Sequence, residues 1–253
     1  MGLIVKVPPS AEPVTLAEAR EHTSQNTTDQ DSQLVAWIAA ARERAELETD
    51  RAVAAQTFEQ TFDCFPADGG PIRLSRPPLF SVVWIKYIDT NGTEQTLAAS
   101  EHLVSTSREP GEIRPAYGKT WPSTRGQMDA VKVEFVAGWP ATDIALGIAS
   151  GLQTVTPGSM AAIKVGTVLS VDKGAAREMV IVTAATATTF TTTFSRTHEP
   201  GAKVTGVPDG IQAAMKLMIG HWNANREETI QGSLTEVPLA AKSLLLGFWS
   251  GGY

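Results

Sequence analysis

The sequence has a single cysteine, Cys64, among its 253 residues. One thiol cannot form a disulfide within the chain, and it cannot supply a cysteine-rich zinc site. Cys64 lies in the strand-like stretch TFDCF, and this position predicts a buried, inert thiol that shares one side of the strand with Phe58 and Phe62. The low cysteine content is typical of a protein that is made and folded in a reducing cytoplasm.

Side-chain groupings that perform catalysis or hold metals are also scarce. The four histidines, His22, His102, His198 and His221, are scattered, and none has a His or Cys partner at metal-ligand spacing. The GxSxG pattern of many serine hydrolases is missing. Asp172 and Glu178 flank a turn, where they could bind calcium or simply face solvent. We therefore predict no enzyme activity, no catalytic residue, no metal and no cofactor.

Positive charge and long apolar runs are both limited. The chain has 21 Lys and Arg against 27 Asp and Glu, which gives a net charge of -6. A surface that grips DNA needs clustered basic residues, and no basic block is present in the sequence. No stretch approaches the roughly 18 apolar residues of a membrane-spanning helix, and the apolar N-terminal stretch is too short for a signal peptide. We expect neither a transmembrane helix nor a secreted protein.

Helical patterns are present near both ends. Thr15 and Glu18 have the spacing of a capping box, which predicts a short helix from about Leu16 to His22. Two longer stretches repeat apolar residues every three or four positions, and Pro208 marks the start of the second stretch. We predict that these two helices pack together through Leu34, Trp37, Ile38, Ile211, Met215, Met218 and Trp222.

Strand patterns fill the rest of the chain. Residues 55 to 138 alternate apolar and polar side chains between turn signals, including the hairpin pair Asn91-Gly92, and predict a small antiparallel sheet. Residues 141 to 206 are rich in Thr, with short strands and Gly at the corners. The predicted fold class is α+β, with a small helical bundle, an antiparallel β-sheet domain and an inserted all-β module that forms a small barrel or sandwich.

These patterns predict four parts. Residues 1–140 form a core of N-terminal helices and β-sheet, and residues 141–206 form the inserted β-module. Residues 207–235 supply the helix that completes the bundle, and residues 236–253 form a C-terminal segment. That segment, EVPLAAKSLLLGFWSGGY, is very apolar for a chain end; Pro238 predicts its helix start and Gly247 its helix stop.

Without the inserted passage, the remaining pieces resemble the head–tail connector (adaptor) proteins of tailed bacteriophages and related prophage elements. The resemblance covers residues 14 to 139 and 207 to 228, and the ending EVPLAAKSLL is also similar. Its most specific features are Arg76-Pro77-Pro78-Leu79 before the strand SVVWIKYI, and the sequence GHWNANRE after the long gap. The insertion at 141 to 206 departs from the simple family pattern.

The resemblance implies a structural virion protein of the neck, assembled in the cytoplasm of a bacterial host and not associated with membranes. Copies would form a ring, usually a dodecamer, below the portal protein. The ring would extend the channel through which double-stranded DNA passes without specific binding, and would offer a platform for the next head-completion or tail protein. The alternative is a non-viral binding module or an unrecognised hydrolase with an accessory β-sandwich. The β-module would either project towards capsid, decoration protein or fibre, or widen contacts between ring neighbours.

Two sets of residues are candidates for these contacts. The resemblance implies that the C-terminal segment docks to the portal, and an exposed apolar segment would need such a partner; the alternative is that it folds back on its own core. Its candidate residues are Leu239, Leu244, Leu245, Leu246, Phe248, Trp249 and Tyr253. The candidates for contacts between neighbouring subunits, or for a solvent-exposed charged face, are Arg42, Glu43, Arg44, Glu46, Arg226 and Glu227.

Overall fold

The computed structural model describes residues 1–225 and 238–251 and has the predicted α+β class. The chain divides into two compact units. The first combines Met1–Pro9 and Asp50–Gly138 with the last residues from Ser250 onward, and the second combines Ser10–Thr49 with Trp139–Trp249.

The first unit consists of two antiparallel sheets. One has five strands in the order β1-β2-β8-β4-β5, and the other has three in the order β3-β7-β6. The strands of these sheets are β1 (Gly2–Val7), β2 (Gln56–Phe62), β3 (Ile72–Leu74), β4 (Leu79–Ile88), β5 (Glu94–Thr96), β6 (His102–Ser105), β7 (Gly111–Pro115) and β8 (Val131–Ala137).

Alternation along the strands builds the core of this unit. Every second residue of β8 is buried, and Phe135 stacks on Phe58 with ring centroids 5.6 Å apart. The prediction of a buried Cys64 is wrong, because β2 ends at Phe62 and Cys64 is exposed. Phe65 is buried instead, stacked on Trp121 at 4.9 Å. The alternation could not be extended past Phe62, since the chain turns there.

The Arg76–Leu79 stretch that carries the family resemblance holds neighbouring segments of this unit together. The carbonyl of Pro77 accepts a hydrogen bond from the Ala52 amide at 3.1 Å, and that of Pro78 accepts one from Gly138 at 2.9 Å. Gly138 has a φ of 107°, and a Cβ there would lie 2.3 Å from the carbonyl oxygen of Ala54. Only glycine fits this crossing, because both the conformation and the close backbone approach exclude a side chain.

The described residues of the second unit form four helices and two sheets. The helices are α1 (Leu16–His22), α2 (Asp31–Thr49), α3 (Asp209–Ala224) and α4 (Leu239–Leu246). The sheets have the orders β12-β11-β15-β9 and β10-β14-β13. Their strands are β9 (Ala141–Ile144), β10 (Gly151–Val155), β11 (Val168–Val171), β12 (Glu178–Ile181), β13 (Ala184–Ala185), β14 (Phe190–Phe194) and β15 (Ala202–Thr205).

The β-module has a core of its own between its two sheets. Phe190 and Phe194 are both buried and belong to one apolar cluster with Leu169, Val171 and Val204 of the other sheet. The Thr-rich strands pair through Thr154 and Thr191, whose hydroxyl oxygens lie 2.9 Å apart. Because two sheets share one apolar cluster, the module is a β-sandwich, which is one of the two predicted forms.

Three of the described helices, α1, α3 and α4, begin where the local signals predicted. Thr15 and Glu18 form both halves of the capping box of α1, Pro208 precedes α3, and Pro238 and Gly247 flank α4. Helices α2 and α3 pack against each other. Of the residues predicted to pack them, five are buried, namely Leu34, Ile38, Ile211, Met215 and Met218, while Trp37 and Trp222 are partly buried.

The grouping of these parts differs from the predicted boundaries. The prediction separated residues 141–206 from the helices and joined the helices to the first sheet. In the structure the helices and the β-module belong to one unit, while the first sheet forms the other. The physical reason is a buried ion pair and several hydrogen bonds that join α1 and α3 to β15, and sequence periodicity does not report such contacts.

Candidate partner-docking surface

The C-terminal helix α4 exposes large apolar side chains beside the polar residues Lys242 and Ser243. Ala241 and Leu245, one turn apart, are 0% and 1% exposed and face the unit's own core, where α4 packs against α2 and α3. Leu239, Leu246 and Trp249 are 80%, 66% and 62% exposed. A helix at the surface of a soluble protein normally presents polar residues on its outer face, so this one is typical of a covered surface.

The candidate docking residues therefore divide into two groups. Leu245 is part of the chain's own core, and Phe248 is partly buried against α3, where a Cβ on Gly210 would lie 2.9 Å from the Phe248 ring. Leu244 is 38% exposed, at the border of the exposed group. Tyr253 lies outside the described residues. We call Leu239, Leu244, Leu246 and Trp249 the α4 outer surface.

The charged face of α2 is largely paired within the chain. The Arg42 guanidinium is nearly buried and lies 2.9 Å from Glu12 and 3.1 Å from Glu46, with Glu43 at 3.6 Å. Arg44 pairs with Glu48 at 2.6 Å. Such internal pairs leave Glu43, whose side chain is 70% exposed, as the most accessible of the predicted subunit contacts on α2. Arg226 and Glu227 lie outside the described residues.

A buried network joins α1, β15 and α3. The Lys203 ammonium donates hydrogen bonds to Glu18 at 2.8 Å and to Gln212 at 2.7 Å, and Lys216 donates to the other Glu18 oxygen at 3.2 Å. Burial would raise the pKa of Glu18, but the charge of Lys203 and the hydrogen bonds from Lys203 and Thr15 lower it to about 2. Burial of the Lys203 ammonium lowers its pKa, which the nearby Glu18 carboxylate opposes.

This network lines a cavity of about 340 Å³ within the second unit. The cavity is polar, but its charged groups are matched to one another. Lys173 pairs with Glu21 at 2.8 Å, and Arg177 pairs with Asp209 at 2.9 Å. Each of the four cations that line the cavity therefore already faces a carboxylate, with Lys203 and Lys216 sharing Glu18.

His198 forms a second charged cluster, inside the β-module. Its side chain is fully buried, with Nδ1 3.1 Å from Asp172 and Nε2 2.6 Å from Glu178. Burial would raise the pKa of each carboxyl, but hydrogen bonds and the His198 charge lower both pKa values below the ordinary range. Asp172 and Glu178 thus hold His198, and neither the calcium site nor the solvent-facing turn describes them.

The described residues offer little else for catalysis or metal binding. Within residues 1–225 and 238–251, no three His, Cys, Asp or Glu side chains are grouped so that they could hold a metal ion. None of the helices in these ranges is long and apolar enough to cross a membrane.

Sequence reasoning missed the two charged clusters for a common reason. His198 lies 26 and 20 residues from its carboxylate partners, and Lys203 lies 185 residues from Glu18. The strand pattern put Lys203 in a strand but not next to α1. Only the capping role of Glu18 carried a local signal.

The comparisons with known proteins bear on the fold. No family model matches the sequence, and no curated protein matches it. Three similar solved structures come from gene transfer agent (GTA) particles, which are phage-like. They are the neck of an empty particle computed with C6 symmetry, the virion of a native particle, and the neck of a native particle computed with C12 symmetry.

The likeness extends over both units. The three TM-scores are 0.59, 0.57 and 0.56, each at 16% sequence identity and each over 98% of this chain. The matched share of the other chains is 95%, 95% and 94%. At this identity the comparison establishes a shared fold, and at that level the predicted resemblance to head–tail connectors is confirmed.

Proposed function

We propose that the chain is a structural subunit of the neck of a tailed, phage-like particle, in which copies form a ring below the portal. The observation that carries the proposal is the likeness in fold to neck structures over 98% of the chain. Because the likeness spans both compact units, it is not the recurrence of one common β-module. Two of the neck structures were computed with C6 and C12 symmetry, and cyclic symmetry of this kind generates a closed ring.

In this ring the α4 outer surface docks onto the portal. Its three most exposed side chains are Leu239 and Leu246 on α4, which is anchored through Leu245, and Trp249 just after the helix. A large apolar side chain gains about 1.5–3 kcal/mol when it is fully buried. A rigid helix that offers several such side chains is suited to an apolar groove in a partner.

The opposite end of the ring would carry the next head-completion or tail protein, and double-stranded DNA would pass through the lumen. Because the β-module and the four helices form one compact unit, we expect the module to lie within the body of the ring. There it would widen contacts between neighbouring subunits rather than project as a separate lobe.

The purified full-length chain and the portal protein of the same particle provide the test. We expect the chain to sediment with portal rings at a fixed ratio of subunits, and to sediment as a smaller species without portal. A binding module or hydrolase of another origin would sediment independently of portal. Failure to join portal rings would argue for such a binding module or hydrolase. Ligand binding or hydrolysis by the chain without portal would argue for it too.

A further inference from the structure

Three arginines meet on one face of the three-stranded sheet in the first unit. Arg73 on β3, Arg114 on β7 and Arg108 in the connection between β6 and β7 all contact Glu112. The nitrogen–oxygen distances to Glu112 are 3.5 Å for Arg73, 2.8 Å for Arg108 and 3.2 Å for Arg114. Arg108, Glu112 and Arg114 lie within seven residues of one another, and the pairing of β3 with β7 adds Arg73 from elsewhere in the sequence. We call Arg73, Arg108, Arg114 and Glu112 the arginine cluster.

Strand alternation places the arginine cluster on the outer face of the sheet. Ile72 and Ile113 are paired across β3 and β7 and are buried in the core, 1% and 0% exposed. Their neighbours Arg73 and Glu112, also paired across the two strands, must point the other way. The outer face is therefore a solvent-facing surface on a rigid sheet, with its inner face fixed by the core.

The charges of the cluster do not balance. One carboxylate faces three guanidinium groups, which leaves an excess of two positive charges. The Glu112 side chain is only 9% exposed, whereas those of Arg73, Arg108 and Arg114 are 60%, 60% and 52% exposed. Burial would raise the pKa of Glu112, but the hydrogen bond from Arg114 and the charge of Arg108 lower it, so the carboxylate stays ionised.

Glu112 holds the guanidinium groups without using up their donors. Each guanidinium carries five N–H donors, and the two oxygens of Glu112 accept only a few of the fifteen. Hydrogen bonds reach Glu112 from one nitrogen of Arg108 and from two of Arg114. The remaining donors are planar, oriented and solvent-facing, which is the arrangement that suits a bidentate oxyanion.

Two hydroxyl groups lie beside the arginines. Ser105 is paired with Glu112 across β6 and β7 and so lies on the same outer face. Its hydroxyl oxygen is 3.3 Å from that of Ser107. Arginine and serine are both common partners of phosphate oxygens in protein–DNA complexes. Leu103, which is paired with Arg114 and is 61% exposed, is an apolar neighbour on this face. An exposed leucine beside arginines would suit an acidic protein segment better than DNA.

We propose that the arginine cluster is a binding site for backbone phosphates of double-stranded DNA. The presence of DNA at this place in the particle rests on the proposed function, while the site itself rests on the geometry of this face. Contacts to phosphate carry no sequence information, so binding is independent of DNA sequence. A small site in a chain of net charge -6 holds DNA weakly, as suits a surface past which DNA moves.

The test measures binding of the full-length chain to a fluorescein-labelled 20-base-pair duplex by anisotropy, over a series of salt concentrations. We expect the logarithm of the binding constant to fall with the logarithm of salt concentration with a slope of about -2 to -3, since each neutralised phosphate contributes about 0.9. Replacing the three arginines by glutamine should weaken binding at low salt at least tenfold, and Arg73→Gln alone should reduce the slope by about one.

The matched control removes three lysines of the same unit, Lys6→Gln, Lys86→Gln and Lys119→Gln, each of which pairs with a glutamate other than Glu112. It has the same net charge as the arginine variant and should keep most of the affinity. The single variant Arg73→Gln retains two partners for Glu112, so it remains informative if the triple variant is unstable. Absence of duplex binding, or binding equal in both triple variants, would overturn the proposal.

Poly-glutamate serves as the competing ligand. Arginine-dependent binding of poly-glutamate together with no duplex binding would assign the cluster to an acidic protein segment and overturn the proposal. The assay contains no portal, so a negative result leaves the proposed neck function intact. Failure to bind portal with duplex binding retained would argue against the proposed neck function and would leave the DNA-binding site intact.

Discussion

Replacing Leu239, Leu246 and Trp249 together by serine will prevent the chain from joining portal rings. Each of the three side chains is more than 60% exposed, so the free chain loses almost no packing when they are replaced. If portal covers them, each contributes about 1 kcal/mol or more, on the scale of 1.5–3 kcal/mol for full burial. A total of about 3 kcal/mol corresponds to at least a hundredfold weaker binding. Sedimentation with portal rings over a range of concentrations measures the change.

Two comparisons separate docking from folding. The variant Leu103→Ser/Leu152→Ser removes leucines that are 61% and 67% exposed on other surfaces, and it should bind portal like the unchanged chain. Leu245→Ser changes a side chain that is 1% exposed, so it should lower the thermal stability of the chain itself. Truncation of α4 would remove the exposed docking residues together with the buried Leu245, so it could not separate docking from folding. Unchanged portal binding by the serine triple variant would show that the α4 outer surface is not the docking site.

Glu18→Gln will destabilise the second unit by about 3–5 kcal/mol, as expected when one partner of a buried ion pair is removed. The Lys203 side chain is 9% exposed and would remain in the interior without its carboxylate. Chemical denaturation, followed by circular dichroism, gives the free energy of unfolding. The matched control is Glu21→Gln on the same helix: Glu21 is 72% exposed and pairs with Lys173 at the surface, so its loss should change the stability far less than the loss of Glu18.

A double substitution and a pH series examine the same pair. Glu18→Gln combined with Lys203→Met should recover most of the lost stability, because no uncompensated charge remains in the interior. The pKa of Glu18 is lowered from 4.5 to about 2, so its contribution is complete above pH 4.5 and is lost as the pH falls towards 2. A loss below about 1 kcal/mol in Glu18→Gln would contradict the assigned role, as would an equal loss in the Glu21 control.

Local signals predicted the parts of this chain well. The capping box fixed the start of α1, prolines and a glycine marked α3 and α4, and apolar spacing identified the residues that α2 and α3 bury. These features depend on chemistry within a few residues of chain. The end of β2 shows the limit: Phe62 and Cys64 follow the same alternation, but the backbone turns between them and exposes the thiol.

The features that sequence patterns did not predict depend on contacts between residues that are far apart in the sequence. The hydrogen bonds of Lys203 to Glu18 and Gln212 join the β-module to the helices, although the Thr-rich composition of the module suggested a separate insertion. The arginine cluster draws on β3, β7 and the connection between β6 and β7, and only the pairing of β3 with β7 brings Arg73 to it. In both cases a residue on one element contacts a residue on another element that is distant in the sequence, and the fold brings the two together.

In the proposed assembly this chain is a ring-forming neck subunit whose α4 outer surface faces the portal. Electron microscopy of full-length protein bound to portal rings, reconstructed without imposed symmetry, tests it most directly. We expect a closed ring in which density for both compact units is repeated around the axis, with α4 at the contact with portal. A reconstruction with the chain bound at isolated positions, or with α4 turned to solvent, would contradict the account.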